Sequence, residues 1–263
     1  MSGAPEIHRL TTPQDLFRAA ADEVIRAVKQ AVRERNRFTI ALAGGSTPKG
    51  LYTLLAANAD VFPWDRMFLF WGDERHVPPN DPQSNFRMAQ EALLSRVPVP
   101  AQNVFRIPAE NPDANAAAAA YEQSLRKFFD VHEGEFPSFD FILLGLGPDG
   151  HTASLFPETA ALEEKTCWVV ANWVEKLRTH RITLTLPVLN AARIAAFLVS
   201  GTDKAAILHQ ILEDKDNDKD EDGNKDKDKD ADEKYPARLV RPKSGKVIWF
   251  VDRAAASELA PAA

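Results

Sequence analysis

His151 is the residue around which chemistry can be built. It stands directly behind the last glycine of "GLGPDGHTASLFP" (145–157), two residues after Asp149 and beyond an apolar run. A neutral imidazole there can take a proton from water at neutral pH, and the nearby carboxylate can orient the ring or stabilise the imidazolium. The same residues also suit a histidine that only caps a turn. The motif alone leaves both readings open. Of the other five histidines, only His76, in the "GDERH" turn, has a comparable setting.

Gly145, Gly147 and Gly150 also spell GxGxxG, the opening of a dinucleotide-binding turn. That reading requires an acidic residue at the end of the next strand to hold ribose hydroxyls. The next strand by sequence, "CWVVAN" (167–172), ends in Asn172, and Asp149 inside the turn would face a pyrophosphate with like charge. The dinucleotide reading therefore loses.

"LAGGSTPKG" (42–50) offers a different chemistry. Gly44 and Gly45 let backbone N–H groups converge, and Ser46 and Thr47 add donors at a helix N-terminus, an arrangement suited to a phosphate monoester. A tight turn with a helix cap is the simpler alternative. The GK[ST] ending of a Walker loop is absent. Arg181, opening "RITLTLP", and Lys204, just inside a helix in "SGTDKAAIL", are cations that can complete such a pocket. In "WGDERHVPPNDPQSN" (71–85), Asp73 is a candidate acid/base group and Arg75 a clamp on developing negative charge, unless the loop is merely ion-paired.

Other chemistries find little support. Asp73, Glu74 and His76 are too close in sequence to enforce a metal geometry, no HxH or HExxH occurs, and no G-x-S-x-G elbow is present, so neither a metal site nor a serine hydrolase is expected. Cys167, the only cysteine, rules out a disulfide framework. Asp218, Asp220, Asp222 and Gly223 match the first half of a calcium loop, but the position expected to supply a bidentate Glu is Lys229. A solvated linker explains that stretch better.

The elements that must position these residues alternate. Thr12, Pro13 and Asp15 signal a helix start, followed at helical spacing by Leu16, Phe17, Ala20, Val24, Ile25, Val28 and Val32. Strands are expected at 38–43, 67–71, 139–145, 167–172, 181–187, 193–201 and 246–252, with an Ala-rich helix at 113–129. Several strands are apolar at successive positions, as strands covered on both faces are. The expectation is one α/β domain over 1–263, a doubly wound, mostly parallel sheet with helices on both faces, whose ligands sit beyond the carboxyl ends of the strands. Residues 213–234 interrupt it with a segment too poor in apolar side chains to fold, an expected disordered insertion.

That segment also explains the net charge of −6. It holds twelve acidic and six lysine side chains, leaving the rest balanced at 26 basic and 26 acidic, so no bias toward nucleic acid or anionic membrane remains. No apolar run approaches about 18 residues, and "MSGAPEIHRLTTPQDL" lacks a signal-peptide core, so a cytoplasmic protein is expected.

Taken together and in order, "LAGGSTPKGLY", "FWGDERHVPPNDPQSN", "LLGLGPDGHTASLFP", "TLTLPVLNAARIAAFLVSGTDKAAIL" and "YPARLVRP" resemble the 6-phosphogluconolactonase branch of the family that also holds glucosamine-6-phosphate isomerase/deaminase, from about residue 10 to 252. The resemblance implies hydrolysis of 6-phospho-D-glucono-1,5-lactone in the oxidative pentose phosphate pathway, with no cofactor and no metal. It places the catalytic histidine at His151 and phosphate contacts at Ser46, Thr47, Arg181 and Lys204. Asp73 and Arg75 carry over as substrate-site residues. The expected partner is a small sugar-phosphate lactone, with the chain a monomer or homodimer. In the isomerase branch a Glu five residues beyond the histidine shares in ring opening; here that position is Phe156, and "WGDER" replaces "NxDEY", which favours the lactonase. A non-catalytic sugar-phosphate sensor would keep the phosphate turn without needing His151 and Asp149. The 213–234 insertion departs from the family's shorter connection.

Overall fold

The first helix begins where its capping residues predict. In the computed structural model, which describes residues 4–213 and 235–261, the Thr12 side chain accepts the Asp15 N–H at 3.1 Å and donates to the Asp15 carboxylate at 2.7 Å. Helix α1 (Pro13–Arg35) then buries Leu16, Ala20, Val24 and Val28. The strands are β1 (Glu6–Leu10), β2 (Phe38–Leu42), β3 (Met67–Trp71), β4 (Asp73–Arg75), β5 (Phe141–Leu144), β6 (Val169–Val174), β7 (Thr179–Leu184), β8 (Ile194–Val199) and β9 (Lys246–Asp252). The remaining helices are α2 (Ser46–Ala57), α3 (Asn85–Ala92), α4 (Ala114–Phe129), α5 (Leu186–Leu189) and α6 (Ala205–Leu212).

Six strands form the central sheet in the order β1-β9-β8-β5-β2-β3, with every neighbouring pair parallel. Strands β2 and β5 are buried along their whole length, as continuous apolar runs require. Thr39, the polar residue within β2, is satisfied by the buried Asp140 carboxylate, which accepts its N–H at 2.8 Å and its hydroxyl at 2.9 Å. From β2 the chain runs outward to β3 on one side; from β5 it runs to β8 and β9 on the other. The loops after neighbouring β2 and β5 therefore diverge, and a crevice opens at the carboxyl ends of these two strands. This is the doubly wound α/β architecture expected.

Two strands lie elsewhere than the sequence placed them. Residues of "CWVVAN" and "RITLTLP" form β6 and β7, which join β4 in a separate antiparallel sheet of order β4-β7-β6. The short apolar run in "CWVVAN" does not distinguish the two sheets, whereas "RITLTLP" alternates, as a strand of an antiparallel sheet does. The next parallel strand after β5 is thus β8, which ends at Val199 before Ser200 and Gly201 and offers no ribose-binding acid there either. Edge strand β1, "EIHRL", is mostly exposed and lacks the apolar run by which the others were found. The small sheet hangs on the large one at Gly72, whose N–H donates to Leu42 O at 2.9 Å and whose carbonyl accepts the Leu184 N–H at 2.9 Å. The expected insertion lies, but for Glu213, outside the described residues, as does the calcium-like stretch within it.

Candidate active site

The loop after β5 is folded tightly around His151. The Gly147 N–H donates to His151 O at 2.9 Å, the Gly150 N–H to Gly147 O at 3.1 Å, and the Thr152 hydroxyl to Gly145 O at 2.9 Å. Gly147 has a steric reason to be glycine: a Cβ there would stand 1.9 Å from His151 Nδ1. His151 Nδ1 lies 2.5 Å from Asp149 Oδ1, and the two side chains are 25% and 27% exposed. The ring stacks on Phe156, centroid to centroid 4.1 Å and 25° from parallel.

Burial alone would raise the Asp149 carboxyl. The hydrogen bond from His151 and the ammonium of Lys176 on its other oxygen outweigh that and hold it well below the ordinary carboxylate range. A group lowered in this way contributes stability that is complete above the ordinary carboxylate value and is lost only as pH falls through the lowered one. Asp149 is therefore ionised wherever an imidazole titrates. An ionised carboxylate can only accept, so Nδ1 is the donor and the neutral ring keeps its lone pair on Nε2.

The loop after β2, the strand that pairs in parallel with β5, starts from the same end of the central sheet. Gly45 (φ 103°) is the N-cap of α2 and brings no side chain to its free N–H groups, while Ser46 and Thr47 are the helix's first residues. Gly44 is packed so closely on buried Asn85 that a Cβ would lie 1.9 Å from its Oδ1. Arg181 is the third residue of β7, paired across the ladder with Arg75 on one side and Asn172 on the other. Its Nε is buried with no hydrogen-bond partner among the described residues. Burial and the neighbouring Arg75 guanidinium draw Arg181 below arginine's usual range, against the pull of Asp73 and Glu74. Paired guanidiniums with an orphaned buried donor form a site that an anion would relieve. Lys204 ends the 3₁₀ turn Thr202–Lys204 beyond β8, the strand next to β5, and caps α6 rather than lying inside it; its Nζ is 3.1 Å from Asp203.

A buried polar brace that the motifs did not announce ties these parts together. Asp73 accepts the Ser154 hydroxyl at 2.6 Å, joining the "GDER" turn to the histidine loop, and the Asn85 amide at 3.2 Å. Asn172 donates to Ser154 O at 2.9 Å and to the Thr159 hydroxyl at 3.0 Å. Glu74 accepts the N–H groups of Arg75 (2.8 Å), Asn85 (2.7 Å) and Phe86 (2.8 Å) and the Ser84 hydroxyl (3.1 Å), closing the N-terminus of α3. Asn85, Ser154 and Asn172 are ordinary polar residues in sequence, and only their burial reveals the task.

Burial pushes the Glu74 carboxyl up, against those backbone hydrogen bonds. A raised folded value means that the stability this group contributes is full below the ordinary glutamate value and declines as pH rises through the raised one. Urea midpoints for wild type and Glu74→Gln should therefore shift in the variant's favour between about pH 4 and pH 7. Glu74→Ala, which strands several buried N–H groups, should lose about 3 kcal/mol near pH 4 and less near pH 7, because it too lacks the titrating carboxyl. Parallel pH trends for wild type and Glu74→Gln would refute the assignment.

Beside Asp149, Phe156 and Lys176 opens a cleft of about 800 Å³, bounded further by Asn172, Trp173 and His180. Among the described residues, no group of three or more His, Cys, Asp or Glu side chains is placed to hold a metal ion, and no helix is long and apolar enough to cross a membrane.

The chain is similar to known proteins in both sequence and fold. The model of the family described as glucosamine-6-phosphate isomerases/6-phosphogluconolactonase matches residues 11–249. A 6-phosphogluconolactonase of Nostoc sp. is 40% identical over 93% of this chain and 94% of its own. One of Synechocystis sp. is 40% identical over 98% of this chain and 100% of its own. The solved structure of 6-phosphogluconolactonase from Trypanosoma cruzi superposes with a TM-score of 0.82 at 28% identity, covering 99% of both chains.

Proposed function

The chain belongs to the glucosamine-6-phosphate isomerase/6-phosphogluconolactonase family, and on that premise we infer that it hydrolyses 6-phospho-D-glucono-1,5-lactone to 6-phospho-D-gluconate, a step of the oxidative pentose phosphate pathway. The observation that carries the mechanism is the His151–Asp149 pair in the loop after β5, the strand that pairs in parallel with β2, whose own loop leads into the open N-terminus of α2.

In this reading the phosphate is held by the N–H groups and hydroxyls at 44–47 together with Arg181 and Lys204, which brings C1 of the lactone toward His151. Nε2 of His151 takes a proton from water as its oxygen bonds to C1, and the carbonyl electrons move onto oxygen. Arg75 is the first candidate to meet that oxyanion. The oxyanion collapses, the bond from C1 to the ring oxygen breaks, and the imidazolium returns its proton to the leaving oxygen. The acid formed then ionises, so each turnover releases one proton. Asp149 stabilises the transient imidazolium. Asp73, both of whose oxygens already accept hydrogen bonds, braces the loop rather than exchanging protons.

Ring-opening isomerisation gains no support from this site, because the group stacked on His151 is the Phe156 ring, which carries no exchangeable proton. A sensor has no use for an oriented base. We further propose that the reaction needs no metal and that the protein works in the cytoplasm as a monomer or homodimer. The experiment is proton release from freshly generated lactone in excess chelator. The expected result is hydrolysis well above the spontaneous rate and unchanged by chelator. A folded protein that gives no acceleration would sink the assignment, and loss of activity on chelation would sink the metal-free mechanism.

A further inference from the structure

Lys176 belongs to none of the motifs and is delivered from another sheet. It lies in the turn Glu175–Leu177 at the tip of the β6–β7 hairpin, followed by Arg178 in the left-handed region (φ 48°). Its ammonium meets Asp149 Oδ2 and stands 4.7 Å from the centre of Phe156, the ring that stacks on His151. We propose that Lys176 is a positioning residue for the hydrolysis: it fixes the Asp149 carboxylate against His151 Nδ1 and shares its charge. This rests on the lactonase reading of the site.

The geometry argues for both halves. A carboxylate held by one oxygen can swing about its bond to Cβ; a partner on the second oxygen removes that freedom and pre-orients the ring. The hairpin that supplies Lys176 is itself anchored to the histidine loop through Asn172 and carries Arg181, so base and anion site are tied to one hairpin. Electrostatically, a second cation on the same carboxylate disfavours the imidazolium. The Lys176 side chain is 51% exposed, so the effect is modest and screened by salt. Glu158, Glu164, Glu175 and His180 line the same cleft; Glu175 is engaged by Trp173 Nε1 at 2.7 Å, and Tyr235 packs on Gly150 from the far side. All of these are retained when Lys176 alone is replaced.

The test is an NMR titration of the histidine rings in wild type, Lys176→Met and Lys176→Arg, with His151→Gln identifying the resonance, alongside kcat/KM for the lactone against pH. Lys176→Met should move the His151 midpoint upward by roughly half a pH unit at low salt. That shift should shrink at high salt, Lys176→Arg should restore the midpoint, and the acid limb of kcat/KM should follow with KM unchanged. An unmoved midpoint overturns the proposal. So does a raised KM at unchanged kcat, which would make Lys176 a substrate ligand. If wild type fails to accelerate hydrolysis at any pH, it is the lactonase reading that falls, while the ring titration still reports whether Lys176 acts on His151.

Discussion

Replacing His151 by alanine should lower kcat by roughly 10²–10⁴-fold, the usual worth of a positioned general base, while KM changes by no more than a few-fold. The asymmetry follows from the architecture. The groups proposed to hold the phosphate come from the turn after β2, from β7 and from the turn after β8, and none of them depends on the imidazole. The ring is held by Asp149, by its own loop and by Phe156. Its removal therefore takes away an interaction that is made only as water attacks. Asp149→Asn should reproduce a large part of the loss, because an amide can present its NH₂ to Nδ1 and turn the lone pair of the neutral ring away from Nε2. Since the two act as a unit, the double variant should be little worse than His151→Ala alone. Single-turnover and steady-state assays on freshly prepared lactone would measure this, after subtraction of spontaneous opening. If His151→Ala lost affinity and turnover equally, the ring would be a binding group and the base would have to be sought elsewhere.

Much of this was legible in the residues, and the reasons differ from part to part. Strands β2, β3, β5, β8 and β9 announce themselves because strands covered on both faces are apolar at most successive positions. At β6 a short apolar run gives the same signal, and β7 alternates; neither pattern names its neighbouring strand. An apolar run reports burial, whereas the identity of the neighbouring strand is set by the chain's return past Gly72, which no local pattern encodes. His151 with Asp149 was readable because both lie on one short loop. Lys176 was not, since its partner is 27 residues away and the contact exists only once the hairpin has folded. Asp73 shows a third case. Its chemistry as a free carboxylate suggested proton exchange, yet Ser154, 81 residues on, occupies one of its oxygens. A side chain's intrinsic capacity is visible in sequence; what it is left free to do depends on its partners.

Arg181 provides the second large effect, because it sets function against stability. Its guanidinium is drawn into a partly buried position beside Arg75, and its Nε has no partner among the described residues, an arrangement that costs folding free energy and favours an incoming anion. Arg181→Met, similar in length and uncharged, should therefore melt at a temperature a few degrees above wild type. The same change should lower kcat/KM for the lactone by about 10²-fold, chiefly through KM, as loss of a charge-assisted contact to phosphate predicts. A third measurement joins the two. A ligand that binds only the folded protein raises its melting temperature with concentration, so inorganic phosphate should stabilise wild type and have much less effect on the variant. A structural role for Arg181 predicts the reverse: the variant would melt lower, and phosphate would stabilise both proteins equally. The sign of the melting shift without ligand thus separates a cation placed to bind from one placed to hold the sheet together.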